Sequence, residues 1–192
     1  AGVERDDTGQ MLSIGPRGAG GHESIIYMEI ERADARVRRQ LEDGIKELLG
    51  KVRAAVQDWS AMQTRLARDA DHLPSEGRAL LQWFGDNKLT QLGHGFYAGD
   101  GSLSDALGIA TTLGQDLLSP SARTRAMAWF AEGGEAPLLL KSNVISPVHR
   151  RVPVELVVVP RDGGLSIHAG LWTSAAMNAP PMDIPVLRVR LT

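Results

Sequence analysis

The sequence contains no cysteine. That excludes disulfides, thiol catalysis and thiolate metal sites, and it is compatible with a reducing compartment. No run approaches the roughly 18 apolar residues of a membrane span, so no membrane partner is expected. Net charge is also scarce, with a formal value of −2, which gives no electrostatic reason to expect nucleic acid or an anionic membrane surface. No secretory signal opens the chain, and Ala1-Gly2-Val3 followed by the turn-like Asp6-Asp7-Thr8-Gly9 reads as a chain cut from something longer. The Gly-x-Ser-x-Gly elbow and the His-Glu-x-x-His zinc helix are missing as well. What is present, 43% hydrophobic and 23% charged residues in 192, suits a soluble chain with a proper core.

Three strand-like runs dominate residues 137–173. Leu138, Leu139 and Leu140 open the first, and Pro147 ends it. The second holds Val152, Val154, Leu156, Val157, Val158 and Val159, a β-branched concentration that favours extended chain. Pro160-Arg161-Asp162-Gly163-Gly164 then predicts a tight reversal. In the third, Leu165, Ile167, Ala169 and Leu171 alternate with Ser166, His168, Gly170 and Trp172, the period of a half-buried strand. The three runs predict the centre of an antiparallel sheet.

Upstream, Met11, Leu12 and Ile14, a loop from Gly15 to Gly21, and Ser24 to Ile30 predict a hairpin. From the N-cap Asp34, apolar residues Val37, Leu41, Ile45, Leu48, Val52, Val56, Trp59 and Leu66 recur every three or four positions. They predict one helix about 45 Å long with one buried face. A bend is allowed at Gly44 or Gly50, each costing about 1 kcal/mol relative to Ala. Leu73-Pro74 ends that helix, and Ser75 caps a second carrying Leu80, Leu81 and Phe84, which makes an antiparallel pair. The chain turns extended from Leu89, and residues 120–131 suit a short helix with Met127 and Phe130 inward. A turn of helix is expected at 175–178, and at 186–191 a terminal strand or, if a parent chain continues, the start of a helix.

Gly93-x-Gly95-x-x-Ala98 matches the letters of a dinucleotide fingerprint, but Gly99-Asp100-Gly101 puts a turn where a helix N-terminus is required. The glycines read as positions of close strand packing. The better candidate is Lys141, Asn143, His149 and Arg150, which flank one turn. Lys offers a point charge and Arg a planar fork that suits a carboxylate. Two readings stand for this group: a ligand-binding pocket for an anion, or a polar turn that fixes strand register. His149 and His168 lack a third ligand for a metal, so no metal site is assigned, and no catalytic residue is. Trp59 and Trp172 read as core or interface anchors.

Pro137 to Asn143, Ser146, Val148-His149-Arg150, Gly170 to Ser174 and Ile184 to Arg188 resemble, in order and spacing, the N-terminal region of the large bacterial NAD-specific glutamate dehydrogenases. Glu23 to Ile26, Val52 to Trp59 and Leu92-Gly93-x-x-x-Tyr97 are similar to the same family in the same order. The resemblance implies a non-catalytic fragment of the regulatory and assembly region of an oxidoreductase that deaminates L-glutamate to 2-oxoglutarate in the cytoplasm. NAD would belong to the parent enzyme and no cofactor to this fragment. Its partners would be the parent's own subunits in a homo-oligomer, and an amino-acid effector. The expected fold is α+β in three parts: residues 1–33, a hairpin remnant of an ACT-like domain; 34–86, a long helical hairpin; and 87–192, a PAS-like antiparallel sheet of about five strands. The alternative is a stand-alone sensor domain for a small molecule such as an amino acid.

Overall fold

The computed structural model describes residues 2–16, 21–23 and 26–174. Contacts divide the chain into two compact units, Ala1–Leu41 and Glu42–Thr192. In the first, strands β1 (Gly2–Arg5) and β2 (Met11–Gly15) form an antiparallel hairpin, and the short β3 (Gly21–His22) pairs with the other edge of β1. The Asp6 carboxylate builds the turn, accepting from the backbone N–H groups of Thr8 at 2.9 Å and Gln10 at 2.8 Å.

The strand partner of Met11–Gly15 therefore lies upstream, where Asp6-Asp7-Thr8-Gly9 reverses the chain, and not in the expected run Ser24 to Ile30. Of that run, residues 26–30 are exposed and belong to no strand. Residues 17–20 and 24–25, like the expected helical turn at 175–178 and strand at 186–191, lie outside the described residues.

Asp34 caps helix α1 (Ala35–Gln57) as predicted, accepting from the N–H groups of Arg36 and Val37 at 2.8 and 2.9 Å. The helix runs unbroken through Gly44 and Gly50. The interruption falls instead at Asp58, before α2 (Trp59–Asp71). Asp58 keeps both neighbouring helical hydrogen bonds through its backbone. Its carboxylate leaves the helix and accepts from the Gly108 N–H at 2.7 Å.

The predicted buried face needs correction over α1, because Val37, Leu41, Ile45, Leu48, Leu49, Val52 and Val56 are 37% to 70% exposed. Among the described residues only a shallow cleft shared by Leu48 with Ile145 and Pro147 borders the stripe. The same stripe is buried only further on, at Ala55, Met62, Leu66 and Ala70. Trp59, on the stripe between them, is 52% exposed.

After Pro74, helix α3 (Ser75–Trp83) returns along α2, with Ser75 as its first residue and no side-chain cap. A wide turn over Phe84–Lys88, with Asn87 in the left-handed region, feeds β4 (Leu89–Ala98). Then come β5 (Leu103–Gly108), α4 (Pro120–Ala131), β6 (Leu138–Ile145), β7 (Pro153–Arg161) and β8 (Gly164–Trp172). All five strands form one antiparallel sheet in the order β5-β4-β8-β7-β6, so its first and last strands pair at the centre.

β8 alternates as the sequence predicts, but both of its faces are buried. Leu165, Ile167, Ala169 and Leu171 join Val154, Leu156 and Val158 in a core beneath Ala126 of α4 and Leu117-Leu118. On the reverse face Val157 and Val159 meet Leu66, Leu80, Leu81 and Phe84 of the helical pair. Trp172 closes that side, its ring 5.2 Å from Phe84 and 6.3 Å from Trp83. In α4, Phe130 packs inward as expected. Met127 is 39% exposed, contrary to expectation, and the small Ala126 takes the buried position.

Gly93-x-Gly95-x-x-Ala98 lies inside β4 and leads into a hairpin. A Cβ at Gly93 would come within 2.9 Å of Ile109 and one at Gly95 within 2.7 Å of Leu103, which is the close packing expected of these glycines.

Two glycines give opposite predictions. Gly108 has φ +60°, and a Cβ there would stand 2.2 Å from the Leu92 carbonyl oxygen. Gly108→Ala is expected to destabilise the fold by about 3 kcal/mol or more. Gly50 has open space around it within an exposed helix, so Gly50→Ala is expected to stabilise by about 0.5 to 1 kcal/mol. Urea denaturation followed by circular dichroism measures both. A neutral Gly108→Ala would contradict the backbone described for β5.

Candidate functional site

Helix α2 places a carboxylate on its buried face: Asp69 follows Leu66 by three residues and Met62 by seven, so it shares their stripe. Directly opposite, Ser166 and His168 stand two residues apart on β8 and therefore on one face. His168 Nε2 lies 2.8 Å from Asp69 Oδ2, the Ser166 hydroxyl donates to the same oxygen, and Arg161 Nη1 donates to Oδ1 at 2.8 Å.

The far side of His168 is tied back to α2. Gln63 donates to the Gln91 side-chain oxygen at 3.2 Å, leaving the Gln91 amide to donate to His168 Nδ1 at 2.9 Å. That bond puts the His168 proton on Nε2, where it donates to Asp69. Burial alone would push the Asp69 carboxyl up; the bond from His168 and its charge, the Ser166 bond and the charge of Arg161 outweigh it and hold the group below its ordinary value.

Beside this network, His94 of β4 is 2% exposed, its ring centroid 4.8 Å from that of His168. Burial, with the neighbouring His168 adding to it, lowers its pKa to about 4, so it is neutral at pH 7. Among the described residues its buried Nδ1 has no hydrogen-bond partner, and its Nε2 is 3.7 Å from Asp105 Oδ2. Asp105, itself held low by its bonds to Arg65, accepts from both arms of that guanidinium, Nη2 at 2.9 Å. These groups border an open cleft of about 230 Å³ that Arg68 and Arg161 also line. A nucleophilic triad is not what they form. Ser166 donates to a carboxylate and has no imidazole to take its proton, so nothing activates its oxygen.

A larger groove of about 660 Å³ runs between α4 and β6, lined by Arg125, Trp129, Leu140, Lys141, Asn143 and their neighbours. Two of the four sequence-predicted residues meet there. Lys141 is exposed and pairs with Glu155 at 3.3 Å, and Asn143 is exposed on the same strand. His149 and Arg150 are not among the groove's lining. His149 is exposed with φ +66° in the β6–β7 connection, and Arg150 donates to the Trp172 backbone carbonyl. Among the described residues no group of three or more His, Asp or Glu side chains is placed to hold a metal.

Asp69, Gln91, His94 and Arg161 were not singled out from the sequence. One signal was present for Asp69, a lone carboxylate on an apolar helical stripe. Gln91 and His94 carry no such mark, because their burial follows from which helix covers β4.

Fold and cleft together define an α+β protein with a helix-covered antiparallel sheet and a buried polar network, and no described helix is long and apolar enough to cross a membrane. No protein-family model matches the chain. The chain is similar to the NAD-specific glutamate dehydrogenase of Pseudomonas aeruginosa, at 31% identity over 222 residues covering 97% of this chain. It spans 14% of that enzyme's length. The resemblance to the glutamate dehydrogenase family drawn from Pro137 to Asn143 and the other matched segments is thereby borne out.

Two consequences follow for stability. Asp69→Asn removes the charge that Arg161 faces and the acceptor that His168 and Ser166 share, and is expected to cost about 3 kcal/mol in urea denaturation. A loss under 1 kcal/mol would mean the network is not fully formed. His94 is neutral when folded and takes a proton near pH 6.5 when unfolded. Its contribution is therefore complete above pH 6.5 and lost as pH falls toward 4, amounting to about 3 kcal/mol over that window. Asp69, with a depressed folded pKa, adds further acid loss below its ordinary value near 3.9. His94→Asn should flatten the stability curve between pH 6.5 and 4 specifically.

Proposed function

We propose that this chain is a non-catalytic segment of the N-terminal regulatory and assembly region of a large NAD-dependent glutamate dehydrogenase. In that reading the whole enzyme deaminates L-glutamate to 2-oxoglutarate with NAD in the cytoplasm, and this segment contributes subunit contacts. Residues 1–33 are read as the remnant of an ACT-like domain, 34–86 as a helical hairpin, and 87–192 as a PAS-like domain. The sheet order with first and last strands paired at the centre supports the last assignment.

The observation that carries the assembly role is the uncovered apolar face of α1. From Leu41 the stripe keeps a seven-residue repeat, with Ile45 and Val52 on one line and Leu41 and Leu48 on the other. A β-branched line beside a leucine line is the pattern of a two-stranded helical pair. Leu49 and Val56 widen the face, and burying it between two copies removes on the order of 1,000 Å² from water, at the lower edge of a specific interface. Sedimentation of the chain tests this. Self-association is expected, and Ile45→Glu with Val52→Glu should abolish it while helicity is kept. A chain that stays monomeric at high concentration would refute the contact. Turnover of glutamate with NAD by this chain would refute the non-catalytic reading separately.

A second reading, an amino-acid sensor, is favoured by the α4–β6 groove. Its 660 Å³ falls in the range of small-molecule sites, and Lys141 supplies a cation at its wall. Calorimetry against a panel of amino acids distinguishes the two. Saturable binding lost in Lys141→Ala supports the sensor, and silence across the panel refutes it.

A further inference from the structure

The cleft over β4 is chemically unlike the α4–β6 groove. Three guanidinium groups, Arg65, Arg68 and Arg161, face two carboxylates, Asp69 and Asp105, around one cavity. His94 beside it is neutral because it is buried. Counted over these five groups, one positive charge is in excess. Arg65 is committed to Asp105 through two bonds and Arg161 to Asp69 and His72. The Arg68 guanidinium makes no hydrogen bond or ion pair among the described residues and is exposed where it borders the cleft.

His94 also lines the cleft, its Nε2 3.7 Å from Asp105 Oδ2 and without a hydrogen bond among the described residues.

We propose that this cleft binds a small organic monoanion, a short-chain carboxylate whose two oxygens meet the Arg68 fork while a polar substituent approaches His94. Size and charge both narrow the class. At about 230 Å³ the cavity lies below the range that houses drug-sized ligands, which excludes a nucleotide. A phosphate or sulfate dianion would bring two charges to a surplus of one and stand beside the Asp69 and Asp105 carboxylates. A carboxylate matches both the surplus and the planar geometry of guanidinium. The proposal is independent of the assembly reading, because α1 takes no part in the cleft, and of the sensor reading, because no residue of the α4–β6 groove lines it.

The test titrates the full chain with sodium acetate and sodium L-lactate at constant ionic strength, with sulfate and inorganic phosphate as comparators. Calorimetry and the imidazole resonances of His94 are followed together. The expected result is one site per chain with a Kd of about 1 mM for a carboxylate. Lactate should bind more tightly than acetate because it alone carries the hydroxyl, and the His94 resonances should move in step with the heat. Arg68→Ala should weaken binding at least about tenfold with an unchanged circular dichroism spectrum. Arg125→Ala, in the α4–β6 groove, should leave binding intact. Absence of saturation by about 50 mM, equal affinity for sulfate or phosphate, His94 resonances that stay fixed, or binding indifferent to Arg68→Ala would each overturn the assignment.

Discussion

The second unit is organised by one buried charge. Asp69 is 4% exposed, and a carboxylate taken out of water is strongly disfavoured unless nearly every lone pair finds a donor. Here the donors come from two strands: the Ser166 hydroxyl and the His168 Nε2–H from β8, and Arg161 from β7. They can satisfy Asp69 only if α2 crosses the sheet at one height and one rotation. Slipping α2 by a single residue would turn the carboxylate about 100° away from them. Hydrophobic contacts between Leu66, Val157 and Val159 favour helix-on-sheet packing of some kind, whereas the polar network selects one geometry.

That geometry explains the rest of the sheet. With α2 and α3 fixed on one face, the alternation of β7 and β8 delivers Val157, Val159, Ser166 and His168 to the helical pair, and Val154, Leu156, Leu165 and Ile167 to the core under α4. Central strands that are covered on both faces cannot shift register without exchanging the two sets. Pairing β4 with β8 also sets His94 directly opposite His168. The same coverage that buries the cores buries His94, which is why an imidazole ends up neutral and short of a partner at the edge of a polar cleft.

Local chemistry was readable wherever one residue decides the outcome. Asp34 caps α1, Pro74 separates α2 from α3, and Pro160 to Gly164 reverses β7 into β8, all as the residue types require. The hairpin at the start shows the limit. Asp6-Asp7-Thr8-Gly9 reads as a turn, but Gly2 to Arg5 is too short to announce itself as a strand, so the sequence points to a partner downstream. Burial was readable less often. The α1 stripe and the α2 stripe continue one another in sequence, and no property of Val52 or Val56 says that the covering surface ends near Ala55. For the candidate site, Lys141 and Asn143 lie on one strand and share the α4–β6 groove. Arg150 was drawn away by a backbone carbonyl of Trp172, a contact created by the sheet's pairing order and invisible in local sequence.

The exposed part of α1 poses an energetic question of its own. A helix of this length standing in water is marginal even for good helix formers, and Gly44 and Gly50 weaken it further. Locally it has the Asp34 cap and two pairs with Glu four residues before Lys, Glu42 with Lys46 and Glu47 with Lys51, the favourable order. Such exposed pairs contribute little each. Propagation from α2 supplies more: the backbone hydrogen bonds continue through Asp58, and the Asp58 carboxylate is itself anchored on Gly108, so the C-terminal end of α1 is nucleated by the packed unit. Stability must therefore fall away from Gln57 toward Ala35, and the apolar stripe lies on the part that is least well held. A surface that covered Ile45, Leu48 and Val52 would add burial where the helix is weakest. Contact and helix formation on that stretch are then a single coupled equilibrium, so a sequence poor in local helix support can still keep a long apolar stripe.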